Sequence, residues 1–210
     1  MTRVAIAQIS SSVNKRVNLD RALDLIGNAS AEGAAIVAFP EFLMAYSPST
    51  QSAAELAQSA EPLDGPFIAA LRDASRRHAI AVLATIYESS GIPDRVYDTA
   101  LWLSAGAIGA VYRKLHLYDA FGFRESDKFV PGTELTPPVQ TDFGRAGMMI
   151  CYDLRFPELS RLLTLMGSEA LFAPSGWVAG DLKVEHWQTM IRARALENGC
   201  FVIAPNQARR

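Results

Sequence analysis

Short apolar runs alternate along this chain with longer stretches whose hydrophobic residues recur at helical spacing. Residues 3–9 (RVAIAQI) form a short apolar run and predict a buried first strand. Residues 18–31 place Leu19, Ala22, Leu23, Leu25 and Ile26 on one helical face. Residues 35–39 (AIVAF) again read as a strand, which Pro40 ends just before Glu41. A polar loop with a short helix follows, and then residues 66–78 predict a helix with Phe67, Ile68, Leu71 and Ala74 on its inner face.

Strands crowd the middle of the chain. Residues 80–87, 96–103 and 107–112 are apolar and partly β-branched, and Ser104, Ala105 and Gly106 between the last two suit a hairpin. Residues 114–132 predict a long irregular loop, a length that in compact domains usually carries function. A buried run at 144–150 leads into Cys151, and residues 157–166 predict a helix with Leu159, Leu162, Leu163 and Met166 inward. Strand 170–173, helix 185–197 and strand 201–204 complete the pattern. Strands alternating with helices early and late, with consecutive strands between, predict a layered α/β fold. With no repeat, low-complexity tract or linker, residues 1–210 read as one domain.

Composition narrows the classes of function. Half of the 210 residues are hydrophobic, a fifth are charged, and the net charge of −2 is scattered in both signs. No basic stripe points to nucleic acid, and no apolar stretch approaches the ~20 residues of a membrane helix. The two cysteines, Cys151 and Cys200, have neither disulfide-framework nor CxxC spacing. His78, His116 and His186 lack ligand spacing, so no metal or other cofactor is expected. The first strand-like run begins at Arg3, leaving no room ahead of it for a signal peptide, and a cytoplasmic location is the expectation.

Three segments share one design, in which an apolar strand delivers a reactive residue at or just past its end. They are FPEF with Glu41, YRKLHLYD with Lys114 and CYDLRFPE with Cys151. Sites in α/β proteins gather where strand ends meet loops. A strand–turn–helix elbow at Cys151 projects the sulfur and leaves helix-start amides free, a setting that lowers a thiol pKa. Read alone, that segment fits a small buried filler equally well. Glu41 alone reads as a loop carboxylate, although a charge directly after a buried strand needs a partner. Lys114 alone reads as surface decoration, and His116 beside it invites a Cys–His pairing only if the strand continues through it. Cys200, in an apolar run, reads as core, and Gly106–Ala110 (GAIGA) sits in a hairpin, not in a nucleotide fingerprint.

Taken together, the three segments resemble the signature blocks of the nitrilase superfamily. Supporting matches are residues 123–132 (FRESDKFVPG), 174–177 (PSGW), 186–198 (HWQTMIRARALEN) and 205–207 (PNQ), so the resemblance runs from Arg3 to Gln207. It implies an αββα sandwich that dimerises through its sheets. It also implies a cysteine hydrolase in which Glu41 is the general base, Cys151 the nucleophile and Lys114 the oxyanion partner, aided by the backbone N–H of Tyr152. Glu125 matches a second glutamate near the lysine in many members, a supporting role. A lysine between two carboxylates should stay protonated.

Cys-Tyr-Asp after the nucleophile, where nitrile-cleaving members carry Cys-Trp-Glu, implies amide substrates. CYDLRFPE resembles the branch of small-carboxylate amidases. Arg155 then reads either as a carboxylate anchor or as a structural ion-pair partner, and Tyr118 and Trp177 as pocket walls or core. The resemblance also implies further segments after PNQ, whereas this chain stops at Ala208-Arg209-Arg210. A C-terminally shortened sandwich with an unpaired sheet edge is therefore expected. An acyltransferase using the same cysteine, or an inactive relative serving as a binding or assembly module, stays open beside the amidase.

Overall fold

A computed structural model describes residues 2–208, and Arg209 and Arg210 lie outside the described residues. Runs too short for helices pair into strands. β1 (Val4–Ile6), β2 (Ile36–Ala38), β3 (Ala81–Ser89), β4 (Val96–Ser104) and β5 (Ala107–Arg113) lie side by side in that order. The first three are parallel and the last two antiparallel. The β4–β5 turn places Ala105 at φ 51° and Gly106 at φ 79°, the double positive-φ turn that matches strand twist.

A second sheet contains β6 (Val139–Thr141), β7 (Gly144–Met148), β8 (Ser168–Phe172) and β9 (Phe201–Ile203) in sequence order. β6 runs antiparallel to β7, whereas β7, β8 and β9 are parallel. Each sheet is backed by helices. α1 (Lys15–Ala31) and α3 (Pro66–Arg77) pack on the first, while α4 (Pro157–Leu165) and α5 (Lys183–Asn198) pack on the second. A short α2 (Ala53–Ser59) opens with a Ser52–Glu55 capping box.

Strand alternation divides the apolar residues between two cores. Val82, Ala84 and Ile86 of β3 join the α1 and α3 residues Ala22, Ile26, Phe67, Ile68 and Leu71. Leu83, pointing the other way, joins Ile36, Ala38, Ala100, Trp102 and Tyr112 against Met148, Ala170 and Phe172 of the second sheet. Trp102 meets Phe172 edge-on across the sheets, with ring centroids 5.3 Å apart. The architecture is thus the expected αββα sandwich. Burial on both faces explains why β3 reads as one continuous apolar run.

Several expectations are corrected. The first strand is only three residues long, sits at the sheet edge and leaves Ile6 55% exposed, because it pairs on one side alone. Of the apolar residues expected inward in α4, Leu159 and Leu163 are buried, whereas Leu162 is 49% exposed and Met166 lies at the C-cap. The inner face of this short helix is a single i,i+4 pair. β6 was not expected, since prolines precede it and its three residues alternate too briefly to register. Cys200, between α5 and β9, is half-buried and packs against the margin of the inter-sheet core. The loop after Lys114 is irregular as expected, but it is pinned along β4. Val130 N–H donates to Val96 O at 2.8 Å, and Val96 N–H donates to Lys128 O at 3.1 Å.

β9 is the outer strand of its sheet, and Phe201 on it is exposed. Among the described residues no helix is long and apolar enough to cross a membrane. Phe172 is fully buried at the centre of the inter-sheet core. Phe172→Ala should cost about 3–5 kcal/mol of folding free energy, measured by denaturant unfolding.

Candidate active site

The two sheets present their strand ends at one edge of the sandwich. β2 runs out through Phe39 and Pro40 into Glu41, and Thr85 on β3 pins that turn. The Thr85 hydroxyl donates to Pro40 O at 3.0 Å and accepts from Leu43 N–H at 3.1 Å. Lys114 directly follows β5, with its N–H donating to Asp98 O at 2.9 Å and its carbonyl accepting from Gly132 N–H at 2.8 Å. Cys151 follows β7, and its N–H donates to Pro174 O at 3.0 Å.

These three residues converge although 73 and 37 positions of sequence separate consecutive members. Lys114 Nζ donates to Glu41 Oε1 at 2.8 Å and to Glu125 Oε1 at 2.9 Å. Asp98 Oδ2 stands 3.6 Å from the same nitrogen. The Cys151 thiol faces Glu41 and Lys114. Burial by itself would push Lys114 toward neutrality, but Glu125, Glu41 and Asp98 overcome it and hold the pKa well above the usual ammonium range. Lys114 is thus a fixed cation, as a lysine between carboxylates should be. One oxygen each of Glu41, Asp98 and Glu125 lies within 4.8 Å of the others, a grouping that suits a metal ion. The Lys114 ammonium stands among those oxygens, hydrogen-bonded to two of them and 3.6 Å from the third.

The expectation of a lowered thiol pKa is overturned. Burial, followed by the Glu41 charge, pushes the Cys151 pKa well above the usual thiol value, and Lys114 only partly opposes this. Amides at the start of a short turn do not outweigh two nearby carboxylates in a dry setting. Cys151 therefore rests as a thiol beside a carboxylate positioned to receive its proton.

The elbow itself is strained and heavily buttressed. Cys151 adopts φ 43°, a left-handed conformation that costs a non-glycine residue about 1–3 kcal/mol and persists only where its surroundings enforce it. It opens a 3-10 turn, Cys151–Arg155, which leads into α4. Asp153 is fully buried beneath this turn and accepts from Ile150 N–H (2.8 Å), His116 N–H (3.0 Å) and Tyr112 O–H (2.6 Å). Arg194 reaches in from α5, its Nε donating to Leu154 O at 2.9 Å. His116 is not a partner of the cysteine. Its Nδ1 lies 2.7 Å from Asp153 Oδ1, and its ring stacks on Phe156 at 3.6 Å.

Some residues that build the site carried no signal of their own. Gly176 N–H donates to Glu41 Oε2 at 2.6 Å, and a Cβ there would lie 2.7 Å from the Phe42 ring. The glycine of PSGW is thus a matter of close approach to the carboxylate. Gln207 of PNQ donates from Nε2 to Glu41 O at 2.7 Å and accepts from Ser11 N–H at 2.8 Å. Asp98 and Asp153 are the other two. The pairing of Asp153 with a strand tyrosine and a loop histidine is visible only in three dimensions.

The remaining expected residues form a rim around the elbow. Tyr118 N–H donates to Glu125 Oε2 at 2.6 Å, which fixes the second glutamate, and its ring lies 4.8 Å from that of Tyr152. The Arg155 guanidinium stands 5.1 Å from the Trp177 ring centroid and 5.8 Å from that of Tyr152. Its Nη2 lies 3.3 Å from His186 Nδ1, and its buried Nε has no hydrogen-bond partner. Among the described residues no carboxylate pairs with Arg155, so the ion-pair role is not realised within the chain. Trp177 Nε1 donates to Lys183 O at 2.9 Å, and its ring packs on Trp187, so it is both wall and packing.

The chain belongs to the carbon–nitrogen hydrolase family, whose model matches residues 3–210. It is 36% identical to the deaminated glutathione amidase of Escherichia coli O157:H7, over 97% of this chain and 77% of that protein. Among solved structures, it superposes on the Caenorhabditis elegans NitFhit protein with a TM-score of 0.87 at 31% identity. That match covers 99% of this chain and 52% of the worm protein. It also resembles the amidase of Nesterenkonia sp. AN1, solved with acrylamide added at its active-site cysteine. The TM-score is 0.81 at 25% identity, over 99% of this chain and 79% of that one.

A resting thiol makes the pH dependence of Cys151 labelling diagnostic. Methyl methanethiosulfonate should modify Cys151 slowly at neutral pH. The rate should rise about tenfold per pH unit past the ordinary thiol pKa of ~8.5, followed by peptide mass mapping. A rate already level at neutral pH would reveal a preformed thiolate.

Proposed function

We propose that this protein hydrolyses the amide bond of a small, carboxylate-bearing carboxamide, releasing ammonia through a thioester on Cys151. The observation that carries this reading is the Cys151 thiol facing a carboxylate, Glu41, that is itself hydrogen-bonded to a permanently charged Lys114. The amidases among its relatives support the same reaction class.

The chemistry follows from where protons can go. Glu41 takes the thiol proton as sulfur attacks the amide carbon, so no free thiolate accumulates. The oxyanion is stabilised by the Lys114 ammonium and the backbone N–H of Tyr152, at the start of the 3-10 turn. Glu41 then hands its proton to the departing nitrogen, and ammonia leaves the thioester behind. Glu41 next takes a proton from water, which adds to the thioester carbon. Collapse expels the sulfur, Glu41 returns the proton to it, and the carboxylic acid departs. Gly176 N–H and Lys114 hold the Glu41 carboxylate through both halves, while Glu125 holds the far side of Lys114.

Arg155 supplies the substrate preference. A guanidinium faced by Trp177 and Tyr152, with a buried donor unused and no carboxylate partner among the described residues, suits a carboxylate brought by the substrate. The test is ammonia release from a panel of small carboxamides with and without a free carboxylate. Cys151→Ala should reduce release to background, and undiminished release would sink the mechanism. Arg155→Leu should lower kcat/KM about 10- to 100-fold on carboxylate-bearing amides, the worth of a charge-assisted hydrogen bond, and leave neutral amides unaffected.

A further inference from the structure

Asp98, on β4, lies outside every signature segment, yet it is the most isolated charge-bearing group in the site. Its side chain is 1% exposed, and neither carboxyl oxygen accepts a hydrogen bond, although one of them lies within 4.8 Å of Glu41 and Glu125 oxygens. The nearest cation, Lys114 Nζ, is 3.6 Å away, past hydrogen-bonding distance. Glu41 and Glu125 are better served. Each takes a Lys114 hydrogen bond, at 2.8 and 2.9 Å, and each also takes a backbone N–H, from Gly176 and from Tyr118, both at 2.6 Å.

Three ionised carboxyls around one ammonium would leave a buried excess of negative charge, which a low-dielectric interior does not support. A proton must enter the cluster, and it settles where the ionised form has the fewest donors. We propose that Asp98 carries that proton in the resting enzyme and donates a hydrogen bond to Glu41, acting as a positioning residue for that carboxylate. The inference rests on the thioester reading for its kinetic consequence, though not for the protonation itself.

The groups facing Asp98 come from every neighbouring element. Tyr87 is its cross-strand partner on β3, Glu41 follows β2, Lys114 follows β5 and Glu125 opens the loop's 3-10 turn. Lys114 is the one cation among them. Burial, then the charge of Glu41, drives the Asp98 pKa well upward, with Lys114 insufficient to reverse it. A neutral Asp98 leaves Lys114 balanced mainly by Glu41 and Glu125. When alkaline pH removes its proton, a third negative charge appears beside Glu41 and Glu125, and the arrangement that supports attack by sulfur is disturbed. Activity should therefore fall at alkaline pH, in part through Asp98.

Asp98→Asn keeps the shape and a donor but cannot ionise, so it separates the two forms. The infrared spectrum of the resting wild-type protein should show the carbonyl band of a buried protonated carboxyl. That band should vanish in Asp98→Asn and persist in Glu125→Gln. With melting and circular dichroism confirming the fold, Asp98→Asn should keep kcat/KM within about threefold near neutral pH and shift the alkaline limb upward. Absence of the band in wild type, which needs no variant, would overturn the proposal. So would its survival in Asp98→Asn, an unmoved alkaline limb, or loss of activity in a folded Asp98→Asn protein. If the wild type turns over no amide, the thioester reading fails, and the infrared result still decides Asp98.

Discussion

The ammonium of Lys114, buried among Glu41, Glu125 and Asp98, is the constraint on which the rest of the site depends. A lone charge in that position would be expelled or neutralised. Two short carboxylate contacts hold it in place, and it holds them in return. Because Glu41 follows a strand of the first sheet, Lys114 the last strand of that sheet and Glu125 the long loop, the cluster ties sheet and loop together. The loop's fastening along β4 and the Tyr118 N–H contact to Glu125 then read as scaffolding for a single charge balance.

Opposite this balance the second sheet delivers one strained residue. The left-handed backbone of Cys151 is held by Asp153 below, Arg194 from α5 and the Pro174 carbonyl behind. Strain of that kind survives only where surrounding bonds over-determine it. The carboxylates that fix Lys114 also raise the Cys151 pKa. Keeping the lysine charged and keeping the cysteine neutral are therefore one electrostatic arrangement. In the proposed mechanism it means that proton transfer accompanies attack and does not precede it.

The rim serves a different purpose from the centre. Aromatic residues around Arg155 come from the loop, from the elbow and from the segment after β8, and among the described residues the guanidinium has no carboxylate partner. At the centre Lys114 is paired with Glu41 and Glu125, whereas the rim keeps a charge-bearing donor in reserve. That contrast is what separates reaction from recognition in the proposed amidase.

The strands were readable because burial on both faces writes a continuous apolar run, and α3 because its inner residues recur at helical spacing. Glu41, Lys114 and Cys151 stood out for the same reason, as polar residues placed where apolar runs stop. Failures came where local pattern and tertiary environment part company. Leu162 and Met166 fit a helical face that nothing covers, Ile6 belongs to a strand with one neighbour, and β6 is too short to show alternation. A thiol pKa could not be read from an elbow, because its sign depends on carboxylates contributed by residues far away in sequence. Asp98, Gly176 and Gln207 were silent for a related reason: their roles arise from distances to Glu41 or Lys114 across strands and between sheets. Sequence alone determined that three candidate residues, Glu41, Lys114 and Cys151, stand at or just past the ends of apolar strands. Only the tertiary structure decided who shares each proton and each charge, because those interactions act through space over a few ångströms.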